Sequence, residues 1–154
     1  MNLVIRKMML EDLEEVVAID QVSFSLPWSP RSFKFELTDN PASRCWVVES
    51  DGRIISMLVG WLIVDELHVA TIATHPDFRG RGIGRRLLYH SLKSAREEGA
   101  ARSFLEVRER NEIAQKMYQS FGYEVTGRRK EYYKDNAEDA ILMTLENLDH
   151  LPGE

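Results

Sequence analysis

The chain of 154 residues is 44% hydrophobic and 29% charged, carries a net charge of −5 and contains one cysteine, Cys45, the make-up of an ordinary globular domain that can bury a core without staples. A lone cysteine excludes an internal disulfide or thiolate cluster, and the acidic balance argues against general nucleic-acid binding, which needs a basic face, while suiting a basic peptide. The amino-terminal MNLVIRKMMLEDLEEV lacks an apolar h-region and a cleavage site, and no apolar run nears the roughly 20 residues that span a bilayer, so a single cytoplasmic domain over 1–154 is expected.

Leu3 to Lys7 is short and β-branched, a first strand. Glu11 to Phe24 places Leu13, Val16, Val17, Ile19 and Phe24 at helical spacing with acids between them; Glu11, Asp12, Glu14, Glu15 and Asp20 read as a solvated face. Leu26-Pro27-Trp28 stops that helix, and Ser29-Pro30 caps a second one through about Thr38. CWVVE and RIISMLVGWLIV flank Asp51-Gly52, a hairpin signal. DELHVATIAT (65–74) alternates Leu67, Val69 and Ala73 against His68, Ala70 and Ile72, and His75-Pro76 ends it. A helix over 83–98 stops at Gly99, SFLEV (103–107) is a strand, and 111–121 is a helix closed by Gly122. A strand pair, 123–132 and 140–145, closes the chain. The order β-αα-βββ-α-β-α-ββ predicts an α/β (α+β) domain: a mixed central sheet of about seven strands flanked by about four helices.

HPDFRGRGIGRRLL (75–88) packs three glycines at alternate positions and four arginines before it turns apolar. Gly80, Gly82 and Gly84 let backbone N–H groups approach a ligand, and the helix that follows adds unpaired donors and a positive dipole end. Arg79, Arg81, Arg85 and Arg86 supply guanidinium groups shaped for phosphate. Strand, loop and helix start coincide on an anion site for more than one phosphate. A P-loop would need Gly-Lys-Ser/Thr, and GxGxxG a glycine where Arg85 stands.

Glu106 lies in an apolar strand, on the face opposite Leu105 and Val107. An ion pair with Arg108 or Arg110 and a general base describe it equally well from the strand alone. Tyr118 falls on one helix face with Ala114 and Phe121, the pattern of a core tyrosine; its hydroxyl, with an ordinary pKa of about 10, could also protonate a thiolate and would then set an alkaline limit to the rate. Cys45 reads as a small buried hydrophobe.

RGRGIG (79–84) resembles the pyrophosphate-binding Q/R-x-x-G-x-G/A signature of the GNAT acetyltransferases, and the element order resembles their fold along the whole chain. The resemblance implies the GNAT acyl-CoA N-acyltransferase fold, with acetyl-coenzyme A as cosubstrate held by Arg79, Gly80, Arg81, Gly82, Ile83, Gly84 and Arg85, and a thioester carbonyl polarised from Ile72, Ala73 and Thr74. LEVRERNEIAQKMYQSFGY (105–123) is similar to the LEVRxxNxxAxxLYxxxGF stretch of the RimI branch, the ribosomal-protein-alanine N-acetyltransferases, with Met117 and Tyr123 as departures. This implies Glu106 as general base, Tyr118 as general acid beside the cofactor and Asn111 as a coenzyme A contact. SFSLPWS (23–29) and RRKEYYKDNAEDAILM (128–143) resemble segments on the peptide side of that family's site, which implies substrate contacts at Leu26, Pro27, Trp28, Tyr132 and Tyr133. The implied partner is a protein N-terminus, that of a ribosomal protein above all, with no nucleic acid, membrane or metal. Acetylation of lysine side chains or small amines, and a non-catalytic acyl-coenzyme A sensor, are the competing readings.

Overall fold

A computed structural model describes residues 2–151. Asp51 and Gly52, both at positive φ, close the predicted hairpin between β2 (Ser43–Ser50) and β3 (Arg53–Ile63), and β1 (Leu3–Lys7) pairs antiparallel along the far edge of β2. Helices α1 (Leu13–Ser23) and α2 (Pro30–Thr38) separate β1 from β2. Ser29 caps α2 as its residue type demands, accepting from the Ser32 amide at 3.1 Å. β4 (Glu66–Thr74) is followed by α3 (Ile83–Glu97), β5 (Arg102–Arg108), α4 (Glu112–Phe121), β6 (Glu124–Tyr133) and β7 (Glu138–Leu145). The sheet order is β1-β2-β3-β4-β5-β7-β6, and β4–β5, joined by the α3 crossover, is the one parallel pair among the described residues. No helix among the described residues is long and apolar enough to cross a membrane.

Two cores flank the sheet. On one face α3 and α4 bury Leu87, Leu88, Leu92, Tyr118 and Phe121 against Leu67, Val69, Leu105, Val107 and Met143. On the other, α1 and α2 bury Val16, Ile19 and Phe33 against Cys45, Val47, Met57 and Ala73. α1 packs on β3 and β4 and α2 on β2, which leaves the same face of β5, β7 and β6 without a covering helix.

β4 departs from the simple alternation its sequence suggests. Gly60 opposes Val69 whereas Val59 opposes Thr71, so Ala70 is an extra residue and the strand bulges. Side chains change face there: Leu67, Val69 and Ile72 pack towards α3, Ala70 and Ala73 towards α1 and α2. The ladder to β5 runs from Glu66–Arg102 to Val69–Leu105. Past the bulge no ladder joins the two strands, and the sheet opens between them.

The acids around α1 are also not the solvated face expected. Asp12 is buried and receives both Arg6 Nη atoms at 2.8 and 2.9 Å; the Arg6 guanidinium holds its carboxyl below the usual range. Glu15 accepts from the Ile54 amide at 2.9 Å. Asp20 is fully buried and accepts from the Trp28 amide at 2.7 Å, and burial pushes its carboxyl up. Only Glu11 and Glu14 are left as plain surface acids.

Candidate active site

The glycine loop sits where the sheet opens. Gly80 and Gly82 both take φ of 77°, a left-handed conformation that costs other residues roughly 1–2 kcal/mol. Gly82 is the N-cap of α3. A Cβ on either glycine would meet nothing within 4 Å, so backbone conformation and the open space over the loop, rather than crowding, call for glycine. The unpaired amides of the first α3 turn face that space with the positive end of a 15-residue helix behind them. These donors fit the pyrophosphate of an acyl-coenzyme A.

The arginines divide. Arg79 turns back into the protein, giving Nε to the Thr74 carbonyl at 2.9 Å and Nη2 to Ser23 Oγ at 3.0 Å, so it ties the loop to α1. Arg81 lies over the Phe78 ring. Arg85 lies 4.4 Å over the Phe121 ring and donates to Ser120 Oγ, joining the first turn of α3 to the last of α4. Ile83 is a buried anchor, and a Cβ on Gly84 would stand 3.5 Å from Thr74 Oγ1, an ordinary contact. Ile72, Ala73 and Thr74 form the β4 segment past the bulge; Thr74 and Ser56 share a 2.9 Å hydroxyl contact.

Leu105 and Val107 are buried towards α3 and α4, so Glu106 points to the uncovered face, beside Leu142 of β7. Its partner is not Arg108 or Arg110, as the strand suggested, but Arg129 of β6, whose Nε lies 3.2 Å from Glu106 Oε1. With a third of its side chain exposed, the carboxylate can meet an incoming amine. Tyr118 is 6% exposed, edge-on to Tyr123 at 5.8 Å. Burial pushes its phenol up to about 12, so the hydroxyl keeps its proton at any ordinary pH, and the alkaline limit expected near 10 lies out of reach. Asn111 caps α4, its Oδ1 accepting from the Ala114 amide at 3.2 Å. Cys45 is buried beneath α1 and α2, and burial lifts its thiol to about 11, which unsuits it as a nucleophile.

The segments on the peptide side meet across the uncovered face. Arg108, next on that face after Glu106, reaches Asp135 Oδ1 at 3.1 Å, Asn136 Oδ1 at 3.3 Å and Glu138 Oε1 at 3.4 Å, all at the β6–β7 turn. Its other Nη donates to Ser25 Oγ, and Ser25 donates to Asp135. The α1–α2 loop is thereby tied to the tip of the hairpin, with the guanidinium 3.9 Å over the Tyr133 ring. Tyr132 is 48% exposed and meets Tyr133 edge-on. Leu26 is exposed, and Trp28 stacks on Trp61 of β3 rather than on the hairpin.

Sequence reasoning missed Ser25, Arg129 and Asp135 as parts of the site, and gave Arg108 the wrong partner. Arg129 lay inside the quoted RRKEYY; its link to Glu106 depends on β6 lying beyond β7, which no local pattern states.

The sequence profile of the Acetyltransferase (GNAT) family matches residues 13–123. A Bacillus subtilis protein, provisionally named a ribosomal protein bS18-alanine N-acetyltransferase, is 39% identical over 139 residues, covering 90% of this chain and 92% of the relative. The ribosomal protein bS18-alanine N-acetyltransferase of Escherichia coli K12 is 32% identical over 145 residues, covering 87% and 90%. The crystal structure of the ribosomal-protein-S18-alanine N-acetyltransferase from Escherichia coli superposes with a TM-score of 0.88 at 29% identity, covering 99% of this chain and 97% of that one.

Proposed function

The chain belongs to the GNAT family of acetyltransferases, and from that premise we propose that it carries the acetyl group of acetyl-coenzyme A to the N-terminal α-amine of a protein, in the first place a ribosomal protein that begins with alanine. The observation that carries the acceptor assignment is the uncovered strip of β5, β7 and β6, bridged by Ser25, Arg108 and Asp135, with Glu106 upon it. A narrow strip between a tethered loop and a hairpin suits an extended chain end. The names of the two relatives that match nearly end to end narrow the end to alanine.

The bound cosubstrate supplies an acetyl thioester. Gly80, Arg81, Gly82, Ile83, Gly84 and Arg85 hold its pyrophosphate, with Arg79 fixing the loop, and Asn111 supports the same side from the start of α4. A backbone amide of the Ile72–Thr74 segment, on the side where no ladder joins β4 to β5, polarises the carbonyl where negative charge develops. Glu106 takes the proton of an α-amine, whose ordinary pKa of about 7.7–8.0 asks only a modest base. Tyr118 gives its proton to the departing thiolate. Amine attacks thioester directly, a route favoured by a Cys45 thiol that is buried and protonated. Leu26, Pro27, Trp28, Tyr132 and Tyr133 flank the acceptor.

The experiment is mass spectrometry of a peptide panel varied at its first residue, incubated with the protein and acetyl-coenzyme A. Acetylation confined to free N-terminal amines, fastest on alanine, is expected. Acetylation confined to lysine side chains or small amines would contradict the assignment.

A further inference from the structure

A concavity of about 650 Å³ belongs to neither the cosubstrate loop nor the pair Glu106–Tyr118. Pro27, Trp28, Arg31, Phe35, Glu36 and Trp61 line it. Its walls are rings: Trp28 and Trp61 stack 19° from parallel at 6.4 Å, and Phe35 stands 50% exposed on α2. Trp61 is held in place from below. Its Nε1 donates to Glu36, a carboxylate only 6% exposed that also receives Asn40 Nδ2 at 3.1 Å and Ser43 Oγ at 3.2 Å. A part-exposed tryptophan fixed by a buried, saturated carboxylate presents a rigid apolar wall to solvent.

The groove is continuous with the acceptor face. Trp61 pairs with His68, and His68 with Phe104, so the three share one face of adjacent strands. His68 and Phe104 stack at 5.3 Å. Phe104 and Glu106 alternate with the buried Leu105, so both point to the uncovered face. Strands about 4.8 Å apart and residues about 3.3 Å along them put the groove roughly 12 Å from Glu106, the span of three or four extended residues.

We propose that this groove is a second acceptor subsite, which takes an aromatic side chain borne by the substrate protein at its fourth or fifth residue. The inference rests on the acceptor reading above and deepens it. The occupant is the chain whose amine lies at Glu106: it is already tethered there, the ring-lined path from Phe104 over His68 leads to the groove, and flat walls favour a flat side chain. Glu36 is a positioning residue, acting through Trp61.

The test is steady-state kinetics on peptides with N-terminal alanine, in which one phenylalanine is moved from position 2 to position 6 of an otherwise serine-rich hexamer. KM is expected to fall at least about fivefold with phenylalanine at position 4 or 5, with kcat unchanged. Phe35→Ala, a surface change, should erase that advantage and leave the all-serine peptide untouched; Trp61→Phe, which removes the Glu36 contact but keeps a ring, should reduce it in part. Equal KM at every position, a minimum at position 2, or an advantage that survives Phe35→Ala would overturn the subsite. So would a dimer in sedimentation that Phe35→Ala dissociates, since a second copy would then fill the groove. Turnover of all-serine and three-residue peptides reads the acceptor assignment separately: with it intact, these outcomes bear on the groove alone, and acetylation of no α-amine removes both.

Discussion

At the scale of single residues, Glu106 and Tyr118 are set apart by environment. The carboxylate is part-exposed beside Arg129, on the face proposed for the acceptor; the phenol is buried and keeps its proton. Glu106→Gln should lower kcat by roughly 10²–10⁴ while acetyl-coenzyme A affinity stays within about twofold, because the glycine loop lies on other elements; turnover equal to wild type would remove the base assignment. Tyr118→Phe should slow transfer yet leave the rate profile between pH 7 and 10 unchanged in shape, because a phenol titrating near 12 is protonated throughout that range. A lost alkaline limb would show instead that Tyr118 titrates within it. The alternation around Glu106 was legible, since one apolar strand with one acid fixes which way the acid points. Its partner was not, because β7 returns between β5 and β6, a long-range pairing that no spacing records.

Among the elements, the loop before α3 was the most legible, as glycine spacing, proline stop and helix start all follow from local backbone rules. Gly82→Ala forces a Cβ into φ of 77° with no clash to relieve, so we expect acetyl-coenzyme A binding to weaken about tenfold, corresponding to roughly 1–2 kcal/mol of strain. Unaltered affinity by calorimetry would mean the αL cap is dispensable. The β4 bulge was hidden, because Val69, Ala70, Thr71 and Ile72 are all acceptable on either face and the extra residue leaves no gap in the pattern. The bridge of Ser25, Arg108 and Asp135 was equally hidden, resting on two turns far apart in sequence. Arg108→Ala should loosen the hairpin tip and raise peptide KM roughly threefold to tenfold, the range of a partly exposed ion-pair network, with acetyl-coenzyme A KM unmoved. A matched rise in both would show general destabilisation instead.

For the whole molecule, element order and the two-layered core were readable from periodicity, and the uncovered face follows from having only two helices on one side of a seven-stranded sheet. The acids of the first helix misled, because charge alone does not show that Asp12 and Asp20 are buried and bonded. Burial also ties stability to alkaline pH. Tyr118 is pushed to about 12 and Tyr123, bonded to Ser103 at 2.7 Å, higher still. Both hold their protons more tightly when folded, so their contribution is complete below the unfolded value of about 10 and is lost as pH rises through the folded values. Denaturant unfolding should show stability falling above pH 10 by up to about 1.4 kcal/mol per pH unit for each phenol; Tyr118→Phe should reduce that slope, and a flat profile to pH 11 would contradict the burial of both rings.

The most direct measurement is tandem mass spectrometry of one peptide carrying a free N-terminal alanine and an internal lysine, alongside its N-terminally blocked twin, each with the protein and acetyl-coenzyme A. A single acetyl group on the alanine nitrogen and none on the blocked peptide is the predicted result. Acetyl on the lysine of both peptides, with the alanine left free, would contradict it.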